Sequence, residues 1–309
     1  MRSRSTKKSL KIYEDAGDLY SAAREYHHLG MVAEEQRRFD DAIAFYQKSL
    51  KIFEDAGDLY SAAREYHHLG MVAQKQRRFD DAIAFYQKSL KIKEDAGDLY
   101  SAASDYHQLG IVAQKQRRFD DAIAFYQKSL KIYEDAGDLY SAAREYHHLG
   151  MVAEEQRRFD DAIAFYQKSL KIFEDAGDLY SAAREYHHLG MVAQKQRRFD
   201  DAIAFYQKSL KIYEDAGDLY SAAREYYLLG RVAEAQENYS EALKQYIQTL
   251  AITLEHNQDL ISFSLTALGG MLKQFGTDQF KSQWRKITQA ECPDEYFSAI
   301  QAASQQSET

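Results

Sequence analysis

The chain has 309 residues, 28% of them charged, and a formal net charge of −8. That acidic balance argues against a general binder of nucleic acid or anionic membrane, and a single cysteine, Cys292, excludes an internal disulfide. No apolar run approaches the length of a membrane span and no secretory apolar region follows Met1, so a cytoplasmic setting is expected.

Residues Met1–Thr6 carry no pattern, and Arg2, Arg4, Lys7 and Lys8 make this start basic. Lys7–Ala16 reads as the later half of a helix whose preceding partner is missing, so residues 1–17 form a partial N-terminal element with an apolar edge at Leu10, Ile12 and Tyr13. Such an edge implies a fragment of a longer protein or contact with another molecule, self-association included, since helical arrays need a polar terminal unit. From Lys11 a 40-residue segment, KIYEDAGDLYSAAREYHHLGMVAEEQRRFDDAIAFYQKSL, recurs from Lys51, Lys91, Lys131 and Lys171, in drifting form from Lys211, and faintly from Ala251. A fixed period of this length marks a repeat architecture, in which each unit buries its apolar face only on its neighbours. A mean hydropathy of −0.61 fits an array that exposes much surface.

Two apolar rhythms of helical spacing fill each unit. Leu19, Ala22, Ala23, Tyr26, Leu29, Gly30 and Ala33 define helix A over about Leu19–Gln36; Ala42, Ile43, Tyr46, Ser49, Leu50 and Phe53 define helix B over about Asp41–Asp55. Gly17 and Gly57 stand where a left-handed residue ends the preceding helix. Asp18 and Asp58 are placed to cap the A helices and Asp40 to cap helix B, while Arg37 and Arg38 close helix A with favourable charge. A helical glycine costs roughly 1 kcal/mol against alanine, so the recurrence of Gly30 at 70, 110, 150, 190 and 230 implies a close approach, best supplied by Tyr46 of the same unit. Six tandem units thus occupy 18–257, with A helices starting near 19, 59, 99, 139, 179 and 219. Lys11–Leu90 is identical to Lys131–Leu210, which signals recent duplication or deliberate concatenation. Beyond Gln236 the pattern drifts: Ser240 is a candidate cap, Leu260–Phe275 a degenerate A helix, Asp278–Gln289 its B partner, and Pro293 opens a last helix to about Ala303. Residues 258–309 are therefore expected to form a degenerate repeat and a capping helix, closed by Phe280 and Trp284, with Gln301–Thr309 frayed.

Tyr26, Leu29-Gly30, Phe39, Ala42, Tyr46 and Ser49 together give the unit a form that resembles the tetratricopeptide repeat, in a 40-residue version. Two departures stand out: Arg37 replaces the usual turn glycine, and Glu54 stands where the family often has proline. The resemblance implies an all-α, right-handed superhelical solenoid of antiparallel helix pairs, a non-catalytic role in binding protein or peptide, and a concave wall made of A-helix residues. Position by position, that wall comprises Arg24, His27, Met31 and Glu34-Glu35, then Arg64, His67, Met71, Gln74 and Lys75, then Ser104, His107, Ile111 and Lys115. It continues with Arg144, His147, Met151 and Glu155, with Arg184, His187, Met191 and Lys195, and with Arg224, Tyr227 and Arg231. Some relatives grip a peptide's terminal carboxylate with Lys and Asn here; His27 and Met31 hold those places, so that clamp is not expected. Forms of this length also occur in scaffolds and in sensor arms of signalling ATPases.

The remaining constellations favour plain structural readings. His27-His28 and its copies at 67/68, 147/148 and 187/188, with His107 alone, invite a metal. Adjacent helical residues diverge by about 100°, however, and equivalent helices pack about 8–10 Å apart, so no metal or other cofactor is expected. Glu14-Asp15, Glu34-Glu35 and Asp40-Asp41 read as solvated helix ends rather than acid–base pairs. Leu268-Gly-Gly-Met-Leu-Lys lacks the spacing of a phosphate loop, and Lys75-Gln-Arg-Arg78 is answered at once by Asp80 and Asp81. An enzyme is not expected. The leading expectation is a scaffold that holds a peptide or helix in its groove; the alternatives are a regulatory arm of a larger signalling protein and an engineered or structural array that self-associates.

Overall fold

A computed structural model describes residues 2–256 and 261–306, so Met1, Leu260 and the end of the expected frayed tail lie outside it. The described residues contain sixteen α-helices and no strand. They divide into two compact units, residues 1–156 and 157–309. The first holds α1 (Arg2–Asp15), α2 (Leu19–Glu35), α3 (Phe39–Asp55), α4 (Leu59–Lys75), α5 (Phe79–Asp95), α6 (Leu99–Lys115), α7 (Phe119–Asp135) and α8 (Leu139–Glu155). The second holds α9 (Phe159–Asp175), α10 (Leu179–Lys195), α11 (Phe199–Asp215), α12 (Leu219–Ala235), α13 (Tyr239–His256), α14 (Ile261–Phe275), α15 (Thr277–Thr288) and α16 (Asp294–Gln306). Through α14, helices within each unit pack in chain order, A on B and B on the next A.

The turns explain both departures from the family pattern. The B helices α3, α5, α7, α9 and α11 each end at a glycine with φ of 70° to 73° (Gly57, Gly97), and the aspartate that follows caps the next A helix: Asp58 Oδ1 accepts from the Ser61 amide at 3.0 Å. The A-to-B turn uses the same left-handed backbone, but on arginine, at φ 57° for Arg37 and 61° for Arg77 and Arg117. A non-glycine residue tolerates this region at a cost. Helix B therefore starts earlier than expected, at Phe39, with Arg38 at its N-cap and no side-chain cap. Asp40 does not cap it; Asp40 and Asp41 lie in its first turn, where negative charge favours the helix dipole. Asp41 instead accepts from Arg38 Nε at 2.9 Å, and Arg38 belongs to the next helix rather than to the close of helix A. Glu54, at the proline position, accepts from the Tyr66 hydroxyl at 2.5 Å and so ties α3 to α4.

The core of each repeat is a tyrosine over a glycine. Tyr46, Tyr86, Tyr126, Tyr206 and Tyr246 are fully buried, and a Cβ on Gly30 would lie 2.5 Å from Tyr46 Cε1. Small residues at the helix crossings (Ala22, Ala23, Ala42 and their copies) allow this approach and are themselves buried. Burying each such ring contributes on the order of 2 kcal/mol. Ser49 Oγ, buried beside it, donates to the Ala23 carbonyl at 2.9 Å.

The ends differ from the interior. Leu10 is buried with Ala22 and Leu29, so it does not belong to an open edge; Ile12 is 57% exposed. In the second unit, Asn238 rather than Ser240 caps α13, accepting from the Glu241 amide at 3.3 Å. The degenerate A helix α14 packs chiefly on α16, not on α15 as expected. Gly269 shows why: a Cβ there would meet the Ser304 backbone nitrogen at 2.8 Å, so the glycine admits another helix's main chain instead of a tyrosine ring. Phe280, Trp284, Cys292 and Ile300 are buried together, with Tyr296 and Phe297 against them, and burial pushes the Cys292 thiol up to about 11.

Candidate functional site

The residues expected on the A-helix wall divide by depth. Arg24, Arg64 and Arg144 in the first unit, and Arg184, Arg224 and Arg231 in the second, are exposed, as are Glu35, Lys75, Lys115, Glu155 and Lys195. Met31 is 39% exposed, whereas Met71, Met151, Met191, Ile111 and Tyr227 are half-buried. The histidines depart from the expectation. His27, His107, His147 and His187 are buried and His67 is half-buried, so none is an open contact residue.

Their physical reason is a carboxylate that the sequence reading passed over. Glu65, Asp105, Glu145 and Glu225 each follow the wall-arginine position of an A helix (Ser104 in α6) and turn inward to meet the histidine of the preceding repeat. His27 Nδ1 lies 2.9 Å from Glu65 Oε1, His67 Nδ1 2.6 Å from Asp105 Oδ1, and His107 Nδ1 2.8 Å from Glu145 Oε1. In the second unit His187 Nδ1 lies 2.6 Å from Glu225 Oε1. Buried carboxylates need such partners. His68, His148 and His188 stack instead on the preceding repeat's tyrosine, while His28 is exposed: the His68 ring lies 5.1 Å from that of Tyr46, and burial pushes its imidazole down to about 3.

The alternation of Glu34-Glu35 with Gln74-Lys75 is also a packing device. Lys75 Nζ donates to Glu34 Oε1 across the repeat boundary at 2.7 Å, and Glu34 Oε2 accepts from the Tyr46 hydroxyl at 2.9 Å. At the other end of the A helices an exposed tyrosine can reach forward to the next cap: Tyr20 donates to Asp58 at 2.9 Å, Tyr100 to Asp138 at 2.7 Å and Tyr180 to Asp218 at 2.6 Å. Tyr26, tied to Glu14, is held neutral by burial and that carboxylate, its hydroxyl pushed up to about 12. Among the described residues no group of three or more metal-ligating side chains gathers, and no helix is long and apolar enough to cross a membrane.

The wall is not uniform. Tyr20 and Phe53 meet edge to face at 5.4 Å, Tyr100 and Tyr133 at 5.6 Å, and Tyr180 and Tyr213 at 5.4 Å. The position matching Phe53 holds Lys93 in the next repeat, and there Ser104 and Asp105 replace the Arg-Glu of the other units. Lys93 is 8% exposed; its ammonium donates to Asp105 Oδ2 at 2.7 Å and to the Ser101 carbonyl at 3.3 Å. Above it opens a cavity of about 340 Å³, bordered by the expected residues Arg64, His67 and Ser104. Lys93 and Asp105 escaped the sequence reading; the signal that finds them is their difference from every other copy. In the second unit Arg224 and Tyr227 border an apolar hollow of about 340 Å³ with Leu228 and Phe263, and Arg231 donates to the Tyr227 hydroxyl at 3.3 Å. The other expected wall residues stand one repeat apart.

The sequence model for the tetratricopeptide repeat matches five overlapping windows: 21–95, 61–135, 100–175, 141–215 and 181–255. The chain belongs to the tetratricopeptide repeat family. Among solved structures, BtubC (BKLC) from P. vanneervenii is 21% identical with a TM-score of 0.63, over 71% of this chain and 92% of that one. A signal transduction ATPase with numerous domains from Pyrococcus horikoshii, which carries a tetratricopeptide repeat sensor, is 17% identical with a TM-score of 0.68. That match spans 96% of this tetratricopeptide repeat chain but 48% of the ATPase. The apo form of RapI is 14% identical with a TM-score of 0.63, over 91% and 99%. At these identities the likeness is one of fold. No curated relative matches the chain at a significant level.

Proposed function

We propose that this protein is a non-catalytic interaction scaffold that holds an extended peptide or a helix of a partner protein along its A-helix wall. One observation carries the reading. Within each unit the A helices of the repeats present an exposed tyrosine and, except in α6, an exposed arginine, above buried histidine–carboxylate and tyrosine–carboxylate pairs that tie neighbouring repeats together. Arginine and tyrosine are the side chains that most often anchor interfaces, and a rigid support lowers the ordering cost of binding. The buried histidines belong to that support, which narrows the contact surface to the arginines, tyrosines, Met31 and the helix-end charges. The ATPase sensor shares only the fold, so a regulatory-arm role gains no separate support from it.

Selecting peptides from a random displayed library on the wild-type chain tests the reading. Combined replacement of Arg24, Arg64 and Arg144 by Glu removes binding of the selected peptides if the wall is the site. Peptides that bind this variant unchanged contradict the proposal.

A further inference from the structure

The third repeat breaks the array's own rules at one spot, and every break opens space or adds polarity there. Where other copies have Phe53, Tyr133, Phe173 or Tyr213, this one has Lys93; where they have arginine and glutamate, it has Ser104 and Asp105. The shorter Asp105 makes room for the lysine head, and Ser104 in place of a long arginine leaves the cavity open between Tyr60 and Tyr100. Folding does not require this. Neighbouring repeats close the same place with an aromatic pair, and a buried ion pair rarely improves on apolar packing.

The charges around the cavity can be assigned. Asp105 is taken up by Lys93, by Ser89 Oγ at 2.8 Å and by His67, and Glu65 is buried against His27. Asp98 is hydrogen-bonded by the Ser101 hydroxyl and amide and then by the Tyr60 hydroxyl, which hold its carboxyl below the usual range. Lys93 spends two of its three donors on Asp105 and the Ser101 carbonyl. The Arg64 guanidinium is half exposed at the rim, its Nε 3.8 Å from Glu65 Oε1. The cavity is thus an aromatic-sided hollow with a cation at its rim and an ammonium in its floor.

Resting on the scaffold reading above, we infer that this cavity is a subsite for an internal Asp or Glu side chain of the bound peptide. Its carboxylate sits between Arg64 and Lys93, and its stem lies against the Tyr60 and Tyr100 rings. Ion-assisted hydrogen bonds of this kind discriminate a carboxylate from its amide by about tenfold or more.

The test uses the full chain and NMR titration with an end-blocked pentapeptide, Gly-Gly-Glu-Gly-Gly, against its Gln counterpart and free glutarate. The glutamyl peptide shifts the His67 ring and Ser104 amide signals and binds about tenfold more tightly than the glutaminyl one. The triple variant Lys93→Phe, Ser104→Arg, Asp105→Glu, built only from residues that neighbouring repeats already hold, loses that preference, and so does Arg64→Ala. Equal binding of both peptides, or an unchanged preference in the triple variant, overturns the subsite. Glutarate binding as tightly as the peptide also overturns it, in favour of a small-molecule site. If library-selected peptides still bind the wild-type wall in those cases, the scaffold reading survives alone; if no peptide binds at all, both fall.

Discussion

Replacing Gly70 by alanine tests the packing of the repeat against a built-in control. A helical glycine changed to alanine gains roughly 1 kcal/mol from backbone propensity. At Gly70, however, the new Cβ would lie 2.6 Å from Tyr86 Cε1, 2.7 Å from Cδ1 and 3.0 Å from Cζ, against an ordinary carbon contact of about 3.5–4.0 Å. The ring has no route of retreat: Tyr86 is fully buried and its hydroxyl donates to Gln74 Oε1 at 2.8 Å. Overpacking of this kind costs about 1–3 kcal/mol, and a trapped ring places it near 3, for a net loss of about 2 kcal/mol. Repeat arrays do not unfold all at once, so the assay is hydrogen exchange of the α4 and α5 amides, which reads local opening. Protection there falls about 30-fold, at about 1.4 kcal/mol per factor of ten. Gly270→Ala, with nothing within 4 Å of its new Cβ, raises protection in α14 instead. In a Tyr86→Leu background, Gly70→Ala loses its penalty. A Gly70→Ala chain as well protected as Gly270→Ala would refute the tyrosine-over-glycine account.

Three further outcomes follow from the same structure. Arg77→Gly relieves a left-handed arginine at φ 61° and stabilises the α4–α5 turn by about 0.5–1 kcal/mol, read as slower exchange there. His68, pushed down to about 3 by burial, favours the fold only when neutral: its contribution is whole above pH 6.5 and is lost as pH falls through 6.5 toward 3. His68→Leu, the residue that Leu228 supplies in the sixth repeat, therefore makes the urea midpoint of the chain less sensitive to acid between pH 6.5 and 4; an unchanged slope counts against that burial. Asp105→Asn strands the Lys93 ammonium and destabilises the third repeat by about 3–5 kcal/mol, whereas the paired change Lys93→Phe, Asp105→Glu is neutral or stabilising; thermal unfolding of the two variants separates them.

The repeat, its helix pairs, the glycine turns and the Gly30–Tyr46 contact were legible because each is enforced by short-range sequence and repeated in every copy. Helix B was misjudged at its start because the search was for a carboxylate cap, while the left-handed Arg37 had already reversed the chain and left Arg38 at the cap without an acceptor. The wall histidines were misjudged for a different reason. Matching positions to a family places a residue on a helix, but only the inward turn of the neighbouring Glu65 and Asp105 decides that His27 and His67 face them. At the C-terminal end the degenerate A helix was legible, but its packing partner was not: the close approach at Gly269 is made by the Ser304 backbone rather than by a tyrosine ring. Counted from Gly269, Arg285 stands where helix B would carry its tyrosine, and α16 fills the gap with backbone. The third-repeat cavity was hidden by the regularity around it: Lys93 looks like drift until its ammonium is seen bonded to Asp105.

A photo-crosslinking amino acid placed in turn at positions 24, 64 and 144 of the A helices, and at exposed B-helix positions 44, 84 and 124, tests the binding wall most directly. With a library-selected peptide, the account predicts crosslinks from the A-helix positions and none from the B-helix ones. Crosslinks confined to the B helices would contradict it.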